Sequence, residues 1–332
     1  MLIYCKEQYL YNIIPYTVLS PAFDSAIGFT DDNVKKLLKD TGLEDRYETI
    51  SEWYDGYVFG REKMYCPWDV LLFIRSVIDG TYSEAMGPES YWLNTSETSL
   101  EIIRGFFGKT AGVMNSFERL MAGQTIDCTI NETVPYHMIH KNGENLWSAL
   151  VETGYLTKAV TEKMPLMPLR IPNREIQDVF LKEIWSYFED KVENAFVRDL
   201  AGSLWSGKIN IAEAALNQIL EAILSFYHEY REYSYHLILS GFFTGLGYRV
   251  ESELETGYGR SDLDIPDPAR NRVMLLELKH VKSENEMETG LLEAVQQIQD
   301  NKYDSKLKYQ GYNTILRYGI AFCGKKARIG QC

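Results

Sequence analysis

The feature that most constrains the fold is a pair of apolar runs near the C-terminus that carry acids where a buried sheet normally carries none. Asp262-Leu263-Asp264-Ile265 leads into Pro266-Asp267-Pro268, and Val273-Met274-Leu275-Leu276-Glu277-Leu278-Lys279 follows. Two such runs around a Pro-rich turn predict a β-hairpin. Side chains two apart on a strand share a face, so Asp262 and Asp264 point one way, and Glu277 and Lys279 share a face of the returning strand. A turn centred near Ala269 sets residue 262 opposite 276 or 277. Two carboxylates and an ammonium then converge on an otherwise apolar sheet.

Such a cluster has a chemical use. Hard oxygen ligands from two carboxylates suit Mg²⁺ or Mn²⁺, which keeps several waters and takes up a phosphate oxygen. Lys279 would neutralise charge in the transition state or orient the attacking water. Glu232 precedes the hairpin in Arg231-Glu232-Tyr233-Ser234-Tyr235-His236, and Gln297 follows it in Ala294-Val295-Gln296-Gln297-Ile298. Both could approach the metal from flanking helices.

The rest of the chain bounds the function. Its 332 residues, 45% hydrophobic and 24% charged, describe a globular protein of about two domains and exclude disorder and a disulfide miniprotein. The net charge of -13 repels polyanions unless basic residues gather locally. They do so toward the C-terminus: residues 260–332 hold 12 Lys plus Arg against 10 Asp plus Glu, leaving 22 against 37 before them. Lys302, Lys306, Lys308, Arg317, Lys325, Lys326 and Arg328 either contact phosphates or keep a surface soluble. No window approaches the ~18 apolar residues of a membrane span, and Lys6 and Glu7 interrupt the start, so a cytoplasmic protein is expected. Five scattered cysteines contain no Cys-x-x-Cys pair, and His137 and His140 have no neighbours to complete a zinc module.

Along the chain, Thr30-Asp31-Asp32-Asn33 supplies a polar N-cap to a helix that closes at Gly42, a second helix runs from Leu43 to Trp53, and Trp53 to Gly60 reads as a short hairpin. Pro67 starts another helix, to Ile78. Residues 83–172 alternate short helices with extended pieces, among them a helix over Asn145 to Val151 and a turn into a strand at Gly154-Tyr155-Leu156-Thr157, an order that fits a winged-helix-like module. Pro165, Pro168 and Pro172 mark Met164 to Asn173 as an extended connector. Helices are expected over Arg174 to Phe196 and Ala212 to Gly241, with strands from Tyr248. The acids Glu284, Glu286, Glu288 and Glu293 read as a solvated helix face. Tyr227, Tyr230 and Tyr233 read as one packed helix face.

The ordered set Glu232, Gly259-Arg260-Ser261-Asp262, Glu277-Leu278-Lys279 and Gln297-Ile298 resembles the PD-(D/E)XK nuclease superfamily. Tyr235-His236, Lys302-Tyr303 and Gly319-Ile320-Ala321-Phe322-Cys323-Gly324-Lys325 are similar to the nuclease-like C-terminal domain of bacterial AAA-ATPase-like proteins. Ile27-Gly28-Phe29-Thr30, Trp53-Tyr54-Asp55-Gly56-Tyr57, Pro67-Trp68, Tyr91-Trp92, Gly154-Tyr155-Leu156 and Ile171-Pro172-Asn173-Arg174-Glu175 look like the later part of that ATPase region and its linker. The resemblance implies a multidomain α/β chain. Residues 1–82 would be a helical remnant of the ATPase domain (its lid), 83–172 a winged-helix-like region and linker, and 173–228 a helical connector. Residues 229–332 would be a restriction-endonuclease-like α/β/α domain with a central mixed sheet.

By position, Asp262 and Glu277 would be metal ligands for Mg²⁺ or Mn²⁺, Lys279 the catalytic lysine, Glu232 the helix carboxylate and Gln297 the helix glutamine. Glu229, one turn earlier, and Gln296 compete for the last two roles, and Asp264 is an outer helper or a solvated acid. Arg260, Lys302, Tyr303 and Lys325 would contact nucleic acid. The family's P-loop would lie before this chain begins, and Gly105-Phe106-Phe107-Gly108-Lys109-Thr110 has Ile103 where the first P-loop glycine belongs. No ATP site is expected, so the chain reads as a truncated member whose ATPase half could be encoded separately. The expected activity is metal-dependent phosphodiester hydrolysis of nucleic acid, with DNA the expected substrate. The alternative is a catalytically silent nucleic-acid-binding or regulatory module on the same scaffold.

Overall fold

The structure is a computed structural model that describes residues 16–84, 87–91, 111–132, 134, 138–139, 143–160, 165–189, 192–223, 232–252, 262–300 and 311–332. Two compact units divide the chain, Met1–Phe180 and Leu181–Cys332. The Gly105–Thr110 loop, His137, His140, Tyr227, Tyr230 and Glu229 lie outside the described residues.

The first unit opens with α1 (Asp31–Thr41). Thr30 and Asn33 form a reciprocal capping box at its start, and Gly42 closes it at φ 70°. After α2 (Tyr47–Tyr54), the hairpin β1 (Tyr57–Phe59) and β2 (Glu62–Met64) pairs Tyr57 with Met64. α3 (Pro67–Ile78) starts on the expected proline. Val34, Leu38, Ile50, Trp53, Tyr54, Val70 and Phe73 from the three helices form one core.

Gly56 explains why Asp55-Gly56-Tyr57 and Ile171-Pro172-Asn173 belong together. At φ +105° a Cβ on it would stand 2.0 Å from the Pro172 carbonyl oxygen, and Arg170 donates to the carbonyls of Gly56 (2.6 Å) and Pro172 (3.0 Å). Nearby, Asp69 and Glu175 are fully buried carboxylates in mutual contact, and burial pushes the Asp69 carboxyl up.

Within 111–173 the order is α4 (Ala111–Met121), β3 (Ile126–Cys128), α5 (Gly143–Glu152), β4 (Thr157–Lys158) and β5 (Met167–Arg170), with strand order β3-β5-β4, all antiparallel. The proline-marked stretch is extended as its sequence predicts, but it is more than a connector, because it supplies the middle strand. Pro168 is tolerated there because its carbonyl is the group used, accepting the Ala159 N–H at 2.7 Å.

Four described helical segments follow: α6 (Arg174–Glu189), α7 (Asn194–Trp205), α8 (Ile209–Ile223) and α9 (Glu232–Gly245), and the helix expected over Arg174 to Phe196 is interrupted at residues 192–193. The five-stranded sheet of the second unit runs in the order β10-β9-β8-β7-β6, from β6 (Glu251–Ser252), β7 (Leu263–Asp267), β8 (Arg272–His280), β9 (Thr314–Cys323) and β10 (Lys326–Gln331). β8 and β9 are parallel and the other pairs antiparallel, so the sheet is mixed, and α10 (Met287–Asp300) forms the crossover.

Two helices sandwich this sheet. Tyr235 of α9 stacks on Phe322, while Gly290 of α10 lies over Ala321 and Lys279; successive strand residues face opposite ways, so α9 and α10 cover opposite faces. A third helix protects the edge. Asn217 of α8 accepts the Ala327 N–H at 2.8 Å and donates to its carbonyl at 3.1 Å, and Glu213 accepts the Ile329 N–H at 2.9 Å. These bonds occupy groups on β10 that would otherwise template pairing with another chain. Among the described residues no helix is long and apolar enough to cross a membrane.

Candidate active site

The hairpin β7–β8 builds the site. Its strands meet through a 3₁₀ turn at Pro268–Arg270, and Leu263 pairs with Leu276, which sets Asp262 in line with Glu277. Asp262 sits just before β7, where its carboxylate Oδ2 accepts the backbone N–H of Leu278 at 2.7 Å. The Nε2 of His236, from α9, lies 3.0 Å from the Asp262 carbonyl oxygen. A carbonyl only accepts, so Nε2 carries the proton. Burial lowers the His236 pKa to about 4 and keeps the ring neutral.

Glu277 is the unusual group. It is 0% exposed, and neither carboxylate oxygen has a hydrogen bond among the described residues. Burial, reinforced by the charge of Asp262, pushes its carboxyl up to about 8, against the opposing pull of Lys279. The Lys279 ammonium stands 3.9 Å from Glu277 Oε1 and is partly open to solvent. Asp262 is also raised by burial, with the Leu278 N–H and Lys279 opposing.

Glu232, at the first turn of α9, accepts the backbone N–H of His280 at 3.0 Å, and its charge reaches both Asp262 and Glu277. Glu232, Asp262, Glu277 and Lys279 are therefore brought together. Gln297 is half-buried on α10 and makes no hydrogen bond to this group among the described residues, whereas Gln296 is exposed and donates to Asp300 at 2.9 Å. Asp264 pairs in register with Glu251 across β6 and Leu275 across β8. Lys325 lies in the β9–β10 turn, on the rim of a cavity of about 1080 Å³ that Glu213, Glu284 and Arg328 also line. Lys326 pairs with Glu284 at 2.6 Å and Arg328 with Glu213 at 3.9 Å, so part of the expected basic surface is neutralised locally. Arg260, Lys302, Tyr303, Lys306 and Lys308 lie outside the described residues.

A family model described as the PD-(D/E)XK nuclease superfamily matches residues 230–332. Those residues form a PD-(D/E)XK nuclease superfamily domain. The match includes α9, the whole sheet, α10 and every described group of the cluster above. No curated protein and no solved structure matches the chain. The expected AAA-ATPase-like and winged-helix-like parts at residues 1–228 find no support in these comparisons.

PD-(D/E)XK nucleases generally use Mg²⁺ or Mn²⁺. The donor set fits such an ion, because a buried carboxylate with both oxygens unbonded is costly unless something of opposite charge satisfies it. Among the described residues no group of three or more His, Cys, Asp or Glu side chains is arranged to hold a metal. A cation held here would rest on two carboxylates and water, the coordination that suits Mg²⁺. Sequence reasoning assigned no role to His236 or to the Leu278 N–H; the former carried a signal, since it lies one helical turn after Glu232 on the same face of α9.

Proposed function

We propose that the domain hydrolyses phosphodiester bonds of nucleic acid, DNA in the first place, with Mg²⁺ or Mn²⁺ held by Asp262 and Glu277. The observation that carries this reading is the buried, unbonded Glu277 carboxylate beside a tethered Asp262 and the Lys279 ammonium. When bound, the metal supplies Lewis-acid polarisation of the phosphate and a more acidic water. Lys279 places positive charge at the rim of the buried pocket, where it stabilises charge developing on the phosphate or holds the attacking water. Glu232 steadies the end of β8 through His280 and adds negative charge that favours a cation. Arg260, Lys302, Tyr303 and Lys325 are the proposed nucleic-acid contacts, and Gln297 the proposed helix glutamine.

The test is nicking of supercoiled plasmid at low salt with Mg²⁺ or Mn²⁺, beside Lys279→Ala and an EDTA control. Metal-dependent nicking lost in the variant supports the reading. DNA binding without cleavage by the wild type favours the silent module instead. A binding role for the winged-helix-like region expected over 83–172 rests on the helix, strand, helix, strand, strand order among its described residues. A separately encoded ATPase partner rests on the sequence resemblance alone.

A further inference from the structure

We infer that His236 is a positioning residue for Asp262, an inference that rests on the metal reading above. The β7–β8 ladder ends at the Leu263–Leu276 pair, so Asp262 stands beyond the last rung. Two bonds from outside the ladder hold it instead. Its carboxylate takes the Leu278 N–H, and its carbonyl takes the His236 Nε2–H at 3.0 Å.

The imidazole is itself held. His236 is 8% exposed, and its ring stacks on Tyr233 at 5.5 Å between centroids and 13° between planes. Both residues ride on α9, whose Glu232 binds the end of β8 at His280. One rigid helix therefore sets the start of β7 and the end of β8, the strands that carry Asp262, Glu277 and Lys279. Without the His236 bond, the Asp262 main chain loses one of its anchors, and the Asp262 carboxylate loses its fixed aim relative to Glu277. Groups that orient a metal ligand in this way govern affinity without touching the ion.

The experiment measures Mn²⁺ binding to the full chain by the loss of the free-ion paramagnetic resonance signal, without nucleic acid. It compares wild type with His236→Gln, His236→Asn and Asp262→Asn, with circular dichroism to follow folding. Glutamine can place an amide N–H near the position of Nε2, whereas asparagine is too short. The expected result is Mn²⁺ binding about 10- to 100-fold weaker in His236→Asn and within about threefold of wild type in His236→Gln, in equally folded proteins. Wild-type affinity in His236→Asn, or an equal loss in both variants, overturns the inference. If binding depends on Asp262 but is indifferent to His236, this inference alone falls. If wild type binds no Mn²⁺, or Asp262→Asn binds as well as wild type, the metal reading falls and takes this inference with it.

Discussion

The Asp262 carboxylate accepts the backbone N–H of Leu278 at 2.7 Å, tying the entrance of one strand to the residue after Glu277 on the next. That bond satisfies one acid of the pair and leaves the other, Glu277, buried with only a long ion pair to Lys279 among the described residues. A buried carboxylate without hydrogen bonds costs stability unless a cation satisfies it.

Replacing Glu277 with glutamine should therefore stabilise the metal-free protein while removing its response to metal. The expected gain is about 1 kcal/mol, or about 2–4 °C in a domain of this size. Thermal melts with and without Mn²⁺ check both parts: the ion should raise the wild-type midpoint and leave that of Glu277→Gln unchanged.

Lys279→Ala should lower the cleavage rate by about 100-fold or more, with DNA binding within about twofold of wild type. The ammonium is partly exposed and makes a long ion pair with Glu277, so its loss should cost little stability. Single-turnover cleavage beside a filter-binding titration separates the two effects.

Gly319 stands beside Glu277 in the β8–β9 register, under α10. A Cβ there would lie 2.9 Å from the Val295 backbone nitrogen and 3.0 Å from the Ala294 Cβ, so the helix must shift. Gly319→Ala should cost about 1–3 kcal/mol, measured by urea unfolding.

Asn217→Ala should expose the weakness of the β10 edge. The Ala327 N–H and carbonyl both lose their partner, and Ala327 is 3% exposed, for a cost of about 1–3 kcal/mol. Light scattering during storage should also show increased self-association relative to wild type.

Glu152 supplies a pH dependence away from the site. Burial, with the nearby Glu132, raises its carboxyl from 4.5 to about 7. The folded chain thus binds more protons than the unfolded one between those values, so stability from this group is fully present below about pH 4.5 and lost as pH rises through about 7. Glu152→Gln should gain midpoint over wild type by about 5 °C or more at pH 8 relative to pH 5.

Much of the local structure was legible in the sequence because its causes are local. Thr30, Gly42 and Pro67 punctuate helices by their own hydrogen bonding and φ preferences, and the Asp262–Lys279 hairpin follows from period-2 patterning around a Pro-rich turn. The sequence left residue 262 opposite either 276 or 277, and the observed Leu263–Leu276 pairing selects Glu277. One long helix was harder to read: apolar periodicity runs through residues 192–193, which are not helical and where no proline or glycine stands. Pro168 misled in the other direction, since whether a strand needs a residue's N–H depends on its neighbours.

Residue order and period-2 patterning are enough to show which acids and which lysine the β7–β8 hairpin carries. Their electrical state depends on what packs around them. Glu277 is an ordinary acid in the chain and a raised one in the fold, because burial removes water from it and the charge of Asp262 reinforces the shift. His236 likewise gains a role only when α9 docks beside the start of β7, 26 residues away in sequence, a separation no periodicity records.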